Sequence, residues 1–231
     1  DFFKMIKYAY DKKIYTCTST NGHFLTAENA TKIIQSGLNK IIISVDGTNQ
    51  EAYEKYRKGG NLEKVITGIK TLSALKKEYH SKSPKIVIQF LVFRFNQHQI
   101  KAIKKTGKEA GANRVEIKSA QIERFEQKQE LIPTLSQYSR YKILKDRIIF
   151  KNNLKNRCFR LWSTMVITWD GDVIPCCFDK NASYKMGNIK DQDLTSIWFS
   201  ESFNQFRKEI LHKRKTIEMC RNCTSGLLLN T

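Results

Sequence analysis

The stretch Ile86-Val-Ile-Gln-Phe-Leu-Val-Phe93 is apolar nearly throughout, and Pro84 stops helical structure just before it. A strand with apolar side chains on both faces is typical of a parallel sheet, because helices cover such a sheet on either side. From residue 1 to about residue 118, apolar strand-like runs alternate with amphipathic helical patterns. This alternation predicts an α/β fold with a parallel sheet in the first half of the chain.

Four strands and five helices are predicted in this half. The strands are residues 13–18, 40–44, 86–93 and 114–117. The helices are residues 2–11, a helix that Thr26 caps and that ends near Gln35, one that begins at the capping-box pattern Thr48-Asn-Gln-Glu51, one from Asn61 to about Tyr79, and residues 97–110.

Ligands of parallel α/β sheets bind at the carboxyl ends of the strands, so the residues there are candidates for a site. They are Thr20, Asn21, Gly22, Ser44, Asp46, Gly47, Arg94, Asn96, Lys118 and Ser119. Residues of these types are also ordinary turn formers and helix caps, so their position alone does not assign them a function.

Five of the six cysteines lie in the last third of the chain, at the spacing Cys158-x12-Gly171-x4-Cys176-Cys177, then Cys220-x-x-Cys223. A Cys-x-x-Cys pair places two sulfurs on one tight turn, and thiolates from a distant hairpin can complete a set of four soft ligands. The spacing predicts a metal or iron–sulfur centre built from two separated pieces of chain. Buried free thiols, two disulfides and a four-cysteine zinc module are the alternatives.

A hairpin is predicted at residues 165–175, because apolar runs flank Asp170-Gly171, a strong signal for a two-residue turn. The hairpin brings Cys176 to the end of its second strand. A helical pattern over residues 194–212 then returns the chain to the Cys-x-x-Cys pair. Cys176 and Cys177 are adjacent on an extended chain, so only one of them can face the centre.

The 231 residues carry a formal net charge of +19, from 41 Lys and Arg against 22 Asp and Glu. Such an excess is compatible with nucleic acid, a membrane surface or an anionic substrate as partner. The lysines are spread over helical faces and no nucleic-acid-binding motif surrounds them, so solvated surface is the favoured interpretation and nucleic-acid binding is an alternative function. No run resembles a signal peptide or is long enough to span a membrane.

Six segments of the last third carry a resemblance to a known family: Cys158-Phe-Arg-Leu-Trp162, Ile167-Thr-Trp-Asp-Gly171, Pro175-Cys-Cys-Phe-Asp179, Gly187-Asn-Ile189, Ile197-Trp198 and Cys220-x-x-Cys223. They resemble the SPASM/twitch region of radical S-adenosylmethionine (SAM) enzymes. The resemblance implies an auxiliary [4Fe–4S] cluster with the ligands Cys158, Cys176, Cys220 and Cys223. Cys176 is selected over Cys177 by the family's x4 spacing after Gly171. No cysteine follows Cys223, so the resemblance is to the single-cluster twitch type.

The first half carries a second part of the resemblance, in Ser19-Thr-Asn-Gly22, Ile43-Ser-Val-Asp-Gly47 and Tyr53-x-x-Tyr-Arg57. These segments look like the middle of a radical SAM partial (β/α) barrel. In that family a Ser at a strand end and an Arg of the following helix bind the methionine end of SAM. The resemblance implies Ser44 and Arg57 as SAM-binding residues, with Asp46 and Asn96 as weaker candidates.

The sequence departs from the family in one respect: it lacks the defining segment Cys-x3-Cys-x2-Cys. Cys17, the one cysteine of the first half, stands alone on a predicted strand. We expect Cys17 to be a small buried residue and the chain to be a fragment that does not cleave SAM by itself. The expected domains are residues 1–120, the barrel portion, residues 121–157, a bridge with a possible helix at 136–145, and residues 158–231, the cluster domain.

For the intact protein, the resemblance implies an oxidoreductase-like enzyme that uses SAM and a second [4Fe–4S] cluster to modify an unknown peptide or small molecule by radical chemistry. It also implies an electron donor such as a flavodoxin or a ferredoxin, and no membrane partner. Cysteines at cluster spacing, with no recognisable signal, predict the reducing cytoplasm as the location.

Overall fold

The computed structural model describes residues 1–122, 129–145, 147–151, 154–221 and 223. Two compact units divide between Ser139 and Arg140. This division falls inside residues 121–157, the segment that the sequence analysis assigned to a bridge.

The first unit contains a four-stranded sheet in which every pair of neighbours is parallel. Its strands are β1 (Cys17–Thr20), β2 (Lys40–Ser44), β3 (Lys85–Val92) and β4 (Arg114–Ser119), and they lie in the order of the chain. In the register, Ile41 pairs with Ile86 and Ile88 pairs with Val115. The predicted parallel α/β sheet is therefore confirmed.

Helices alternate with the strands along the chain and contribute side chains to the core. They are α1 (Phe2–Asp11), α2 (Ala27–Gln35), α3 (Gln50–Tyr56), α4 (Leu62–Glu78) and α5 (Ile100–Glu109). The side chains of Thr26 and Asn61 accept N-cap hydrogen bonds as predicted. Asn49, and not Thr48 of the predicted capping box, caps α3 by accepting from the backbone N–H of Ala52.

The centre of the core is β3, whose consecutive residues Ile86, Val87 and Ile88 are all buried. Successive side chains of a strand point to opposite faces, so burial of consecutive residues means that both faces of β3 are covered. Ile69 and Leu72 of α4 are fully buried in the same cluster. Each such side chain contributes roughly 1.5–3 kcal/mol through removal from water.

The expectation for Cys17 is wrong, because Cys17 is the exposed first residue of β1. The predicted helix at 136–145 is also wrong. A single turn at Ser136–Tyr138 is followed by an antiparallel hairpin of β5 (Tyr141–Leu144) and β6 (Arg147–Phe150). Four-residue runs such as Tyr141-Lys-Ile-Leu144 are too short for the spacing of apolar residues to separate helix from strand.

The second unit also holds a small antiparallel sheet of β7 (Val166–Ile167), β8 (Asp172–Ile174) and β9 (Gly187–Asn188). The predicted hairpin is present, but its loop is longer than two residues. The N–H of Thr168 donates to the carbonyl of Asp172, and the N–H of Gly171 donates back to Thr168. Gly171 has a φ of +94°, which a residue with a side chain adopts only with strain.

The predicted helix at 194–212 forms as two helices, α6 (Leu194–Trp198) and α7 (Glu201–Lys213). They are separate because the side chain of Ser200 caps α7 by accepting from the N–H of Phe203. A short helix α8 (Glu218–Arg221) follows. The apolar core of this unit comprises Leu161, Val173, Met186, Ile197, Phe203, Phe206, Ile210, Ile217 and Cys220. No helix among the described residues has the length and hydropathy needed to cross a membrane.

Candidate metal centre

Four cysteines of the second unit surround one cavity of about 200 Å³. They are Cys158, Cys176, Cys220 and Cys223, the four ligands that the resemblance implied. The cavity wall between them is largely apolar, with Phe159, Leu161, Phe178, Phe206, Ile210 and Met219, and two basic residues, Arg160 and Arg214, complete it. The structure thus brings together thiols that lie up to 65 positions apart in the chain.

Each cysteine is held by a different local structure. Cys158 begins the short helical turn Phe159–Trp162, and Cys176 follows β8 after Pro175. Cys220 lies in α8, and its carbonyl accepts from the N–H of Cys223 at 3.1 Å. This last hydrogen bond closes the Cys-x-x-Cys turn and keeps its two sulfurs on one side of the cavity.

Cys176 and Cys177 differ in their surroundings. Cys176 lines the cavity and is partly buried, whereas Cys177 is exposed and is not part of the cavity wall. The Sγ of Cys177 lies 3.9 Å from Nη1 of Arg160, an exposed contact. The two neighbours therefore face different environments. The predicted reason is wrong, because these residues lie in a turn and not on an extended chain: the N–H of Asp179 donates to the carbonyl of Cys176 at 3.0 Å.

The electrostatics of the cavity oppose the deprotonation of Cys176 and Cys220. Burial, together with the nearby sulfurs of Cys177, Cys223 and Cys158, raises the pKa of Cys176 to about 11. Burial also raises the pKa of Cys220, and the nearby positive charge of Arg214 acts in the opposite direction. Thiols need a cationic centre to become thiolates at neutral pH in such a setting, and iron or zinc supplies that charge. The donor set therefore fits a metal centre.

Four thiols can hold either one zinc ion or a polynuclear iron–sulfur cluster. Within the described residues, no three His, Cys, Asp or Glu side chains are placed as a ready-made site for a single metal ion. The space between the four cavity thiols is about 200 Å³.

A polar cluster lies at the carboxyl ends of β2 and β3 in the first unit. Asp46 is fully buried, and its Oδ2 accepts from Nε of Arg57 at 2.7 Å. Its Oδ1 accepts from the N–H of Leu91 at 2.6 Å. Nδ2 of Asn96, also fully buried, donates to the carbonyls of Asp46 and Leu91, both at 2.9 Å. Oδ1 of Asn96 accepts from the N–H of Phe93 at 2.7 Å.

Three of the four predicted SAM-site residues thus contact one another. Burial raises the pKa of the Asp46 carboxyl, and the Arg57 guanidinium and the Leu91 N–H oppose the rise. Arg57 keeps 26% of its side chain exposed. Among the described residues, no hydrogen bond joins the side chain of Ser44, the half-buried last residue of β2, to this cluster.

Gly47 makes the approach of Arg57 to Asp46 possible. A Cβ at this position would lie 2.4 Å from the backbone nitrogen of Tyr53 in α3, much closer than real Cβ contacts. Only glycine allows the loop after β2 to touch α3 so closely, and α3 ends directly before Arg57.

Sequence reasoning missed Arg214, which lines the cysteine cavity and is 2% exposed. It lies in the run Lys213-Arg-Lys215, which by composition is typical of a solvated helix end. The sequence offered one signal, that Arg214 lies six residues before Cys220. Its basic neighbours Lys213 and Lys215 lie about as near to Cys220, so this signal did not identify Arg214.

Two family models match the chain. The radical SAM superfamily matches residues 1–106, and SPASM, an iron–sulfur cluster-binding domain, matches residues 158–224. Residues 1–106 therefore carry a radical SAM domain. The second part of the chain is a SPASM domain, and the four cysteines of the cavity lie within that match. The two domains imply SAM and [4Fe–4S] clusters as cofactors, in agreement with the sequence prediction.

Curated relatives of this radical SAM chain have several activities by name. An S-adenosyl-L-methionine-dependent 2-deoxy-scyllo-inosamine dehydrogenase of Niallia circulans is 39% identical over 62 residues, which are 26% of this chain and 24% of the relative. A GTP 3′,8-cyclase of Aliarcobacter butzleri is 26% identical over 208 residues, covering 79% of this chain and 61% of the relative. The chain spans less than two thirds of the length of both relatives.

Solved structures share the fold. Streptococcus suis SuiB bound to S-adenosylmethionine matches with a TM-score of 0.65 at 13% identity, over 98% of this chain and 58% of SuiB. SuiB bound to the precursor peptide SuiA matches with a TM-score of 0.63 at 12% identity, over 98% of this chain and 58% of SuiB. The predicted fold class, a radical-SAM-type parallel sheet followed by a small SPASM-type domain, is confirmed.

Proposed function

We propose that the SPASM domain binds an auxiliary [4Fe–4S] cluster through Cys158, Cys176, Cys220 and Cys223, and that it does so in a radical SAM enzyme. The observation that carries the proposal is the single cavity that these four thiols line, with Cys177 left exposed outside it. Four cysteines occupy all four irons of such a cluster, so the cluster supplies one-electron transfer and no open iron for a substrate.

The residues around the cavity contribute to this role in three ways. The four thiols hold the centre, and the aromatic and aliphatic wall of Leu161, Phe206 and Ile210 limits the access of water. Exclusion of water lowers the local dielectric constant and strengthens the effect of nearby charges on the centre. The buried guanidinium of Arg214 is such a charge.

In the first unit we propose that Ser44 and Arg57 bind the methionine end of SAM. Asp46 and Asn96 contribute by holding Arg57 and the loop after β2 in place, through the hydrogen bonds at 2.7 and 2.9 Å. A guanidinium that is fixed at Nε still has its two Nη atoms to bind a carboxylate, the geometry that Arg provides and Lys does not. Support comes from the 26% exposure of the Arg57 side chain.

The class of reaction that we propose is an oxidation of a peptide or small-molecule substrate by radical chemistry. A relative is named a dehydrogenase, and a solved neighbour was crystallised with a precursor peptide. An electron donor such as a flavodoxin or a ferredoxin is part of this proposal, as is a reducing cytoplasmic location, since thiolate ligands persist where thiols stay reduced.

Metal analysis of the purified chain tests the proposed cluster. After anaerobic reconstitution with iron and sulfide, we expect about four irons and four sulfides per chain, and a broad visible absorption that dithionite bleaches. A stoichiometric zinc content without labile sulfide would replace this proposal with the structural zinc module.

SAM cleavage by the whole protein requires three further cluster ligands, which the 231 residues do not contain as Cys-x3-Cys-x2-Cys. We expect the chain alone, with its cluster reconstituted, to form no 5′-deoxyadenosine under reducing anaerobic conditions. Formation of 5′-deoxyadenosine by this chain would show that the SAM-cleaving centre is assembled in another way.

A further inference from the structure

Arg214 is a buried arginine whose charge faces sulfur. It is 2% exposed, and its Nη2 donates to the Sγ of Cys223 at 3.5 Å. Its Nη1 donates to the carbonyl of Lys155 at 3.3 Å and to the carbonyl of Arg157. A sulfur acceptor at this distance is within the usual range for an N–H···S hydrogen bond, because sulfur is larger than oxygen.

No carboxylate neutralises Arg214 within the part of the chain that the structure describes. Its neighbour Lys213 forms an ion pair with Glu209 at 3.7 Å, but no Asp or Glu of the described residues lies within 4.0 Å of the Arg214 guanidinium. Its Nε is buried and has no hydrogen-bond partner there. A buried cation costs several kcal/mol unless an anion lies close by. The groups of the cavity that can become anionic are the thiols.

The two halves of the proposed ligand set meet at this side chain. The carbonyls of Lys155 and Arg157 belong to the segment that leads into Cys158, and the sulfur acceptor belongs to the Cys-x-x-Cys turn. The Arg214 guanidinium therefore connects the segment before Cys158 to the turn that contains Cys223, and these two cysteines are 65 positions apart in the chain. Its planar fork of donors, which a lysine lacks, makes these three contacts at once.

We propose that Arg214 is a positioning residue of the iron–sulfur centre: it hydrogen-bonds the ligand Cys223 and raises the reduction potential of the bound cluster. The inference rests on the proposed cluster site. Reduction of a cluster adds one negative charge, and a fixed positive charge in a dry cavity stabilises the reduced form more than the oxidised form. An N–H···S hydrogen bond to a ligand sulfur acts in the same direction, so losing both the charge and the hydrogen bond should lower the reduction potential.

The test compares Arg214→Gln with Lys215→Gln in the reconstituted chain. Both variants remove one positive charge from neighbouring positions, but Lys215 is exposed and screened by solvent and salt. Iron and sulfide content is measured first, and the midpoint potential is then measured by redox titration. We expect a more negative potential for Arg214→Gln and an unchanged potential for Lys215→Gln.

A second measurement uses the unaltered protein, in case Arg214→Gln does not take up iron. Arginine labelled with ¹⁵N at its two Nη atoms is incorporated, the cluster is reduced, and hyperfine coupling is recorded by pulsed electron paramagnetic resonance. An N–H···S bond from Arg214 to a ligand sulfur predicts ¹⁵N coupling to the cluster. The control is Arg160→Gln, which removes an exposed arginine of the same cavity and should leave this coupling in place.

The outcomes separate this inference from the proposed function. A chain that takes up no iron overturns both. An iron-loaded chain whose potential is the same in Arg214→Gln and wild type, or whose labelled wild type shows no ¹⁵N coupling, overturns the role of Arg214 and leaves the cluster site standing.

Discussion

The polar cluster of the first unit and the cysteine cavity of the second unit differ in how their buried polar groups are satisfied. Asp46, Arg57 and Asn96 satisfy one another and the nearby backbone at 2.6–2.9 Å. The thiols of Cys176 and Cys220 gain few hydrogen bonds, and burial raises the pKa of both. The first region is complete with protein atoms alone, whereas the second is complete only with a cationic centre.

This comparison predicts that the two regions respond to different changes. Removing a member of the polar cluster should lower the free energy of unfolding. Removing a cysteine should abolish the binding of iron. The distinction would be wrong if removing a cysteine lowered only the free energy of unfolding, and removing a member of the polar cluster abolished the binding of iron.

The largest expected effect is that of Cys176→Ala. This variant should lose most of the visible cluster absorbance after reconstitution, because it removes a ligand from the cavity. The matched control is Cys177→Ala, which should keep the absorbance because Cys177 is exposed outside the cavity. If Cys177→Ala lost the absorbance and Cys176→Ala kept it, Cys177 would be the ligand, and the register of the segment after β8 would differ by one residue.

The next effect is that of Arg57→Ala, which leaves the fully buried Asp46 without its cationic partner. We expect the free energy of unfolding to fall by about 4 kcal/mol, as for other broken buried ion pairs. The double variant Asp46→Asn/Arg57→Ala should regain much of this loss, because it also removes the unpaired charge. Urea denaturation of the wild type and of the two variants measures these values.

The same variants separate the SAM role of Arg57 from its structural role in the whole protein. If Arg57 contacts SAM, both variants should bind SAM about tenfold more weakly, a difference of about 1.4 kcal/mol. Recovery of SAM affinity in the double variant would show that Arg57 acts only through Asp46. Lys55→Ala in α3, the helix that ends directly before Arg57, is the control, because Lys55 is exposed and pairs with Glu51 at 3.0 Å.

A smaller effect is expected for Asn96→Ala, which removes three hydrogen bonds without leaving a buried charge. The orphaned N–H of Phe93 and the carbonyl of Leu91 should lower the free energy of unfolding by about 3 kcal/mol. Asn29→Ala, which removes one exposed hydrogen bond to the carbonyl of Phe24, should cost less than about 1 kcal/mol. Equal losses in the two variants would contradict a special role for the buried cluster.

The smallest effect concerns pH and the hairpin that leads to Cys176. Hydrogen bonds from Lys185 and Asn188 hold the pKa of Asp172 below its usual range. A carboxyl group whose pKa is lower in the folded state than in the unfolded state stabilises the folded state at pH values above its unfolded pKa of about 4. This stability is lost as the pH falls through the folded pKa. Asp172→Asn should therefore be less stable than wild type at pH 7, with the difference shrinking toward pH 3.

Urea midpoints at the two pH values measure this change. Asp191→Asn, at an exposed position without an ion pair among the described residues, serves as the control. A pH-independent difference for Asp172→Asn would assign the effect to packing of the hairpin instead of charge.

The sequence by itself determined the features that depend on neighbouring residues. The continuous apolar run at residues 86–93 determined a strand that is covered on both faces. Thr26 and Asn61 determined two helix starts, since an N-cap bonds to a backbone group three residues away. The cysteine spacing, read with the family resemblance, indicated the four thiols that line the cavity. Each of these signals lies within one short stretch of chain.

Only the tertiary structure decided the contacts between distant stretches. Asp46 and Asn96 were both candidates because they follow strands, but nothing local showed that they hydrogen-bond each other across 50 positions. Arg214 looked like its solvated neighbours until the fold placed it against Cys223. The physical reason is that a side chain's partners in a packed core depend on which elements meet there, and the local pattern of the sequence does not contain that information.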